Sequence, residues 1–230
     1  MPRDTLTADR IVAAAIDLLD AEGLDGLNMR RLGGRLGSAP TAVYWHVENK
    51  DNLVRLAADA VWNEIGLPDL SETDWRGAAT AMATGLHEML TRHPWLGQAF
   101  GSYLLYGAGK ARYDDHSLAV YEKAGFTGAD ADLAAATVFI FVLGCALAPA
   151  AEVSLARRLS QDGSNAEQVM AQTMARATEI AMQFPRLRER LHDTSAQGYA
   201  EAPAKTFEFG LTAILDGLQA RLATHRGVGR

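Results

Sequence analysis

Apolar positions recur at helical spacing along most of the chain. Ile11, Ala15 and Leu18, joined by Val12, Ala14 and Leu19, mark one face of a first helix over 7–22. Thr7 can cap its start and Gly23 can end it. After the link Leu24-Asp25-Gly26-Leu27, Asn28 caps a second helix over 29–36, with Leu32 and Leu36 on one face. Gly37 closes it. Ser38 is the expected cap of a third, very short helix over 40–46 with Pro40 in its first turn. Asn49 caps a fourth, with Leu53, Leu56, Ala57, Ala60, Val61 and Glu64 in line, fading at Gly66 and Pro68. The pattern predicts further helices near 72–92, 95–107, 112–124, 129–152, 165–183 and 202–224. His93-Pro94, Gly125 and Phe184-Pro185 are the breaks, and the polar stretches 157–165 and 192–201 read as loops. No run alternates like a half-buried strand, so the fold class is all-α.

Composition narrows the options. The chain has 230 residues, 48% apolar and 22% charged, which is enough for a sizeable core. One cysteine excludes a disulfide framework and a cysteine-rich zinc module, and suits a reducing cytoplasm. Met1-Pro2-Arg3-Asp4 opens without an apolar run, so no secretory signal is expected and the expected location is cytoplasmic. The 19 residues between Asp132 and Glu152 carry no charge and are long enough to span a bilayer. Seven are alanine, both flanks are acidic, and no second span follows. A helix buried in a core or subunit interface is the expectation, with no membrane partner.

The net charge of −6 argues against a nucleic-acid partner until its distribution is read. Residues 4–27 carry six carboxylates against Arg10. Residues 28–50 reverse the balance, with Arg30, Arg31, Arg35 and Lys50 against Glu48. Phosphate binding needs local positive potential, not a positive total. That patch coincides with two short helices joined by a glycine-containing turn, the layout of a helix-turn-helix. A recognition helix reads bases with residues near its N-terminus, here Pro40, Thr41 and Ala42. Thr41 offers a hydroxyl and a methyl, and Ala42 a methyl, for base edges and thymine methyls. Tyr44, His46 and Lys50 are candidates for backbone phosphates, as are the free N–H groups opening helices two and four. Arg30 sits in the first turn of helix two, where the helix dipole disfavours it and a phosphate would compensate. Trp45 is expected in the small-domain core, because successive helical residues point about 100° apart and three in a row cannot share one face.

The run Asp25-Gly26-Leu27-Asn28-Met29-Arg30-Arg31-Leu32, then Leu36-Gly37, then Tyr44-Trp45-His46-Val47-Glu48-Asn49-Lys50 resembles the tetracycline-repressor (TetR) family of transcriptional regulators. The likeness is strong over 7–62. Beyond, it rests on Ala124-Gly125-Phe126 and Phe141-Val142-Leu143-Gly144. It implies a three-helix DNA-binding domain at 1–52 and a helical ligand-binding and dimerisation domain at 53–230. It also implies DNA contact at Arg30, Thr41, Ala42, Tyr44, Trp45, His46 and Lys50, to which the turn adds Ser38 and Pro40. Tetracycline repressors carry Gln-Pro-Thr where this chain has Pro40-Thr41-Ala42, so the amide that reads a purine bidentately is missing and a different operator is expected. Their tetracycline- and metal-linked positions align with Gly66, Ile140 and Ala148, so a tetracycline–magnesium inducer is not expected and no metal or cofactor is implied.

Other chemistry finds little support. Gly107-x-Gly109-Lys110 is too short for a phosphate loop and follows no strand. Asp114-Asp115-His116 cannot all face one ion on a helix. Cys145 lies in the uncharged helix and reads as a small buried apolar residue. An apolar cavity among helices four to eight is the expected ligand site, with Trp62, Leu86, His87, Leu90, Trp95, Phe100, Tyr103, Tyr106 and Phe139 as lining candidates. The helix 129–152, through Ala135, Ala136, Val138, Phe139, Val142, Leu143, Ala146 and Leu147, is expected to pair in a homodimer with the last helix, through Phe207, Leu211, Ile214, Leu215, Leu218 and Leu222. The expected function is a ligand-responsive regulator bound to double-stranded, pseudo-palindromic operator DNA, most simply a repressor released by a small apolar or aromatic inducer. A helical small-molecule enzyme and a protein-binding dimer are the alternatives.

Overall fold

The computed structural model describes residues 6–161, 165–193 and 202–228. Among them every regular element is helical. The order is α1 (Ala8–Gly26), α2 (Met29–Arg35), α3 (Pro40–Val47), α4 (Lys50–Val61) with a 3₁₀ turn (Trp62–Glu64), α5 (Trp75–Arg92), α6 (Trp95–Ser102), α7 (Ala108–Ala124), α8 (Ala129–Gln161), α9 (Ala166–Ala181), α10 (Pro185–Asp193) and α11 (Ala202–Val228).

Side-chain caps set the starts of the first helices. Thr7 accepts from the Arg10 N–H, Asn28 from Arg31 and Asn49 from Asn52. Ser38 does not cap α3. Ala39 holds the N-cap position, Pro40 opens the helix, and the Ser38 hydroxyl turns back to the Leu36 carbonyl. Pro40 needs no donor satisfied, so the start holds without a side-chain cap. Gly23 takes a positive φ of 72°, which breaks the path of α1, and one more turn follows to Gly26.

α1 to α3 close around Ile11, Ala15, Leu18, Leu19, Leu27, Leu32, Val43 and Val47, all 1% exposed or less. The same core continues through Leu53, Val54, Ala57, Ala58 and Val61 of α4 into Trp62, Ile65 and the α5 residues Ala83, Leu86 and Met89. α4 therefore packs on α1 at one end and on α7 at the other, without a flexible link.

Several expected boundaries move, each for a visible reason. α6 stops at Ser102, where Tyr103 turns extended. α7 begins at 108 rather than 112, because the Asp59 carboxylate of α4 accepts from the Gly109 and Lys110 N–H groups. α8 runs to Gln161 through Pro149, so Arg157, Arg158 and Ser160 are helical and not in a loop. Its last turns are held from outside, with Arg157 donating to the Asp20 carbonyl and Ala150 pressed against Gly97 of α6. The break at Phe184-Pro185 starts an additional helix, α10. The expected loop residues Asp162, Gly163 and Ser164 and the stretch 194–201 lie outside the described residues.

α8 is long and apolar enough to cross a membrane, yet α5, α6, α7, α9 and α11 all pack on it. Much of the apolar surface expected at a dimer seam is spent within the chain. Val138, Val142 and Ala146 of α8 and Phe207, Leu211 and Leu215 of α11 are buried. The Phe207 ring stacks between His87 of α5 and Phe141 of α8, and Arg76 of α5 pairs with Asp216 of α11 at 2.6 Å. What α8 leaves uncovered is a stripe of Leu133, Ile140 and Leu147, of which only Leu147 was among the expected seam residues, with Phe209 exposed on α11.

Candidate nucleic-acid interface and ligand cavity

α2, the turn 36–39 and α3 form a tight unit. Gly37 takes a φ of 61°, which lets the chain reverse. Gly33 is the second requirement, since a Cβ there would sit 2.7 Å from the Ser38 carbonyl oxygen and 3.3 Å from the Pro40 nitrogen. The turn folds directly onto the middle of α2.

Val43 and Val47 anchor α3 inward. The opposite surface carries Pro40, Thr41, Tyr44, Trp45 and His46, all exposed, with Ala42 half-buried. Trp45 is the correction here. It is 89% exposed and not part of the core. With about 100° between residues, pinning Val43 and Val47 inside leaves Trp45 near the middle of the outward face, flanked by Thr41 and Ala42. Tyr44 and His46 stand on the two flanks.

The positive patch is smaller than the sequence count. Arg30 and Arg35 are exposed beside α3. Arg31 pairs with Glu22 instead. Lys50 is half-buried, and its ammonium donates to the Leu24 carbonyl at 2.9 Å, tying the start of α4 to the end of α1. Ser38 is half-buried in the turn.

The ligand candidates separate into groups. Trp62, Phe100, Tyr106 and Phe139 come together. Trp62 lies 6.3 Å from Phe139, centroid to centroid, and Phe100 meets Phe139 edge-on at 6.4 Å. Leu86 and Leu90 are buried on α5. His87 faces α11 through Phe207, and burial pushes its pKa below the ordinary imidazole value. Trp95 points away from this cluster and donates its indole N–H to Asp20 at 2.8 Å. Tyr103 is half-buried at the end of α6, and its phenol is pushed up by burial, with the carboxylates of Asp51 and Asp25 adding to the rise.

Lys110 of α7, absent from the expected set, occupies the centre of the aromatic group. Its ammonium lies 4.7 Å from the Phe139 ring centroid, 5.2 Å from Trp62 and 5.9 Å from Tyr106. It also donates to both oxygens of Asp114, at 2.6 and 2.7 Å. Beside it, a cavity of about 270 Å³ opens between α7 and α8, lined by Lys110, Tyr113, Asp114, Ser117, Asp132 and Phe139 among others. Burial raises the Tyr113 phenol well above its ordinary value, so its hydroxyl stays protonated. The i, i+4 spacing of Lys110 and Asp114 was the signal that could have found them. Asp114 and His116 point to different partners, His116 Nε2 lying 2.9 Å from the Pro68 carbonyl oxygen. A larger groove between α9 and α10 lies apart from the aromatic group.

Known proteins show the same organisation. The model of the tetR family of bacterial regulatory proteins matches residues 11–57. The tetracyclin repressor-like C-terminal domain matches residues 67–222. The HTH-type transcriptional repressor DrrR1 of Streptomyces coeruleorubidus is 34% identical over 98% of this chain and 82% of its own length. The class A tetracycline repressor protein from transposon 1721 of Escherichia coli is 30% identical, with 97% of this chain and 95% of its own covered. The Streptomyces coelicolor TetR family protein ActR, in complex with actinorhodin, superposes with a TM-score of 0.72 at 28% identity, covering 94% of this chain and 97% of its own.

Proposed function

The chain belongs to the TetR family of bacterial regulatory proteins and is a ligand-responsive DNA-binding repressor, and we propose that the outward face of α3 reads its operator. The observation that carries this reading is the exposed set Thr41, Tyr44, Trp45 and His46 standing on the buried pair Val43 and Val47. A major groove about 12 Å wide admits such a helix. Thr41, Ala42 and Trp45 face the bases, Pro40 and the half-buried Ser38 bring the backbone of the turn close, and Tyr44, His46 and Arg30 reach phosphates on either side. Lys50 contributes by holding the start of α4 against α1, with donors left over for a phosphate. The reading domain, 1–52, and the body, 53–230, meet in α4. Two copies joined through the uncovered sides of α8 and α11 present two reading heads to a two-fold-related operator in the cytoplasm.

The body takes the inducer. ActR is known in complex with actinorhodin, and its architecture matches this one over nearly the whole chain. The ring cluster Trp62, Phe100, Tyr106 and Phe139 and the cavity between α7 and α8 favour a small apolar or aromatic ligand, with Leu86 and Leu90 buried on α5 and Tyr103 standing apart from the rings. The cavity is below the roughly 300–1,000 Å³ usual for such sites, so ligand entry requires Lys110 to leave the rings. Lys110 sits in the turn of α7 that Asp59 of α4 caps. Ligand uptake therefore moves α4 and with it the reading head. The ligand favours the released state only by its greater affinity for it.

Selection of bound fragments from genomic DNA is expected to return sites with two related halves. Arg30→Ala should lower affinity for every sequence and reduce the salt slope by about 1, whereas Thr41→Ala should mainly change sequence preference. Fragments without two-fold symmetry, or no enrichment, would refute the reading.

A further inference from the structure

His93 sits where three parts of the molecule meet. It ends α5 and is 6% exposed. Its Nδ1 lies 2.8 Å from Asp20 Oδ1 of α1, and its Nε2 lies 3.1 Å from Glu64 Oε1 in the turn after α4. A carboxylate oxygen only accepts, and a neutral imidazole carries a single N–H. Both contacts are hydrogen bonds only if the ring is the imidazolium. The surroundings are equally specific. Trp95 of α6 donates to the same Asp20 oxygen, Arg157 of α8 donates to the Asp20 backbone carbonyl, and Arg92 of α5 pairs with the other Glu64 oxygen. The charged groups facing the ring are thus Asp20 and Glu64, with Arg92 and Arg157 behind them.

We propose that His93 is a positioning residue whose imidazolium fastens α1 of the reading domain and the end of α4 to the α5–α6 corner of the body, so that loss of its proton loosens the reading head. With the proton gone, one ring nitrogen presents a lone pair to a carboxylate, and that contact turns repulsive. Arg157 and Trp95 still hold Asp20, so the corner slackens and does not unfold. Burial by itself pushes the His93 pKa down, but the hydrogen bonds and charges of Asp20, then Glu64, outweigh it and hold the pKa above the ordinary imidazole value. A raised folded pKa means the fastening is complete below about pH 6.5, the unfolded value, and is lost as pH rises through the folded one. The consequence for operator binding rests on the function proposed above. The fastening is a property of the free protein and is tested without DNA or inducer.

The test is nitrogen NMR of the His93 ring together with amide exchange of the full chain, corrected for intrinsic pH dependence. At pH 6 both ring nitrogens should carry protons. As the ring titrates, protection at residues 18–22 and 62–65 should fall with the same midpoint as the ring, because the raised pKa and the fastening are one linked equilibrium. Val120 and Tyr121, deep in α7, should not respond. His93→Gln, neutral at every pH, should show the loosened pattern throughout and no step. Asp20→Asn keeps an acceptor for Trp95 but removes a charge, and should move the His93 titration to lower pH. A singly protonated ring at pH 6, or protection at 18–22 that ignores the titration, would overturn the proposal while leaving operator reading intact. The wild-type measurement decides even if a variant fails to fold.

Discussion

Trp45 shows most sharply what a single position can decide. An indole buried in the small domain would cost about 3–5 kcal/mol on truncation. An indole 89% exposed on the reading face should cost no more than about 0.5 kcal/mol. Trp45→Ala is therefore expected to leave the denaturation midpoint nearly unchanged while lowering affinity for selected operator fragments. Gly33 behaves the opposite way. Gly33→Ala drives a methyl to within 2.7 Å of the Ser38 carbonyl, so the turn must open and α3 must tilt. A loss of roughly 1–3 kcal/mol, the usual cost of overpacking, is expected in denaturant titration, together with weakened binding to all DNA. The sequence made most of this surface legible. Thr41, Tyr44 and His46 follow from the position of the turn, and the caps at Thr7, Asn28 and Asn49 stand where their side chains suggested. It misjudged Trp45 because burial was assigned from residue type, although the helical period with Val43 and Val47 inside already pointed Trp45 outward. Lys50 was legible as basic, but not as the donor that closes α4 onto Leu24, because that contact spans residues far apart in sequence.

Between elements, the joint of α4 and α7 is the contact on which the proposed coupling depends. Asp59 caps the first turn of α7 through the N–H groups of Gly109 and Lys110, and both nearby glycines are needed for it. A Cβ at Gly109 would lie 2.3 Å from the Asp59 carbonyl oxygen, and one at Gly107 would lie 2.4 Å from the carboxylate carbon. Asp59→Ala should cost about 1 kcal/mol, as for other lost caps, and raise exchange at the Gly109 and Lys110 amides. If the joint transmits ligand uptake, the variant also binds operator DNA but releases it poorly when inducer is added. Unchanged release would place the coupling elsewhere. Helix order was readable from periodicity and from breaks such as His93-Pro94. The early start of α7 was not, because its cap comes from another helix. The extension of α8 past Pro149 was hidden for a related reason: its last turns are held by Asp20 and Gly97, contacts that local pattern does not contain. The same holds for the ligand cluster. The aromatic residues could be named from composition, but only packing divides Trp62 and Phe139 from His87 and Trp95.

On the scale of the whole molecule, the argument turns on where apolar surface remains after the chain has folded. The inner faces of α8 and α11 are satisfied by α5, α7 and each other. Leu133, Ile140 and Leu147 nevertheless line one side of α8 at 62%, 65% and 48% exposure, and Phe209 is 79% exposed on α11. Seven residues separate each α8 position from the next, so they form one stripe nearly parallel to the helix axis. Such a stripe is poorly suited to water and well suited to a second copy of itself, giving a four-helix arrangement about a two-fold axis. An isologous contact uses each residue twice, so a carboxylate placed there is also counted twice. The double variant Ile140→Asp with Phe209→Asp should therefore lose roughly 1–3 kcal/mol per unpaired group, on both sides of the seam. Sedimentation should show a monomer of unchanged helical content. Its operator affinity should fall toward that of a single reading head, because the second head no longer arrives with the first. A dimer that persists in the double variant would move the interface to another surface, and with it the spacing at which the two α3 helices meet DNA.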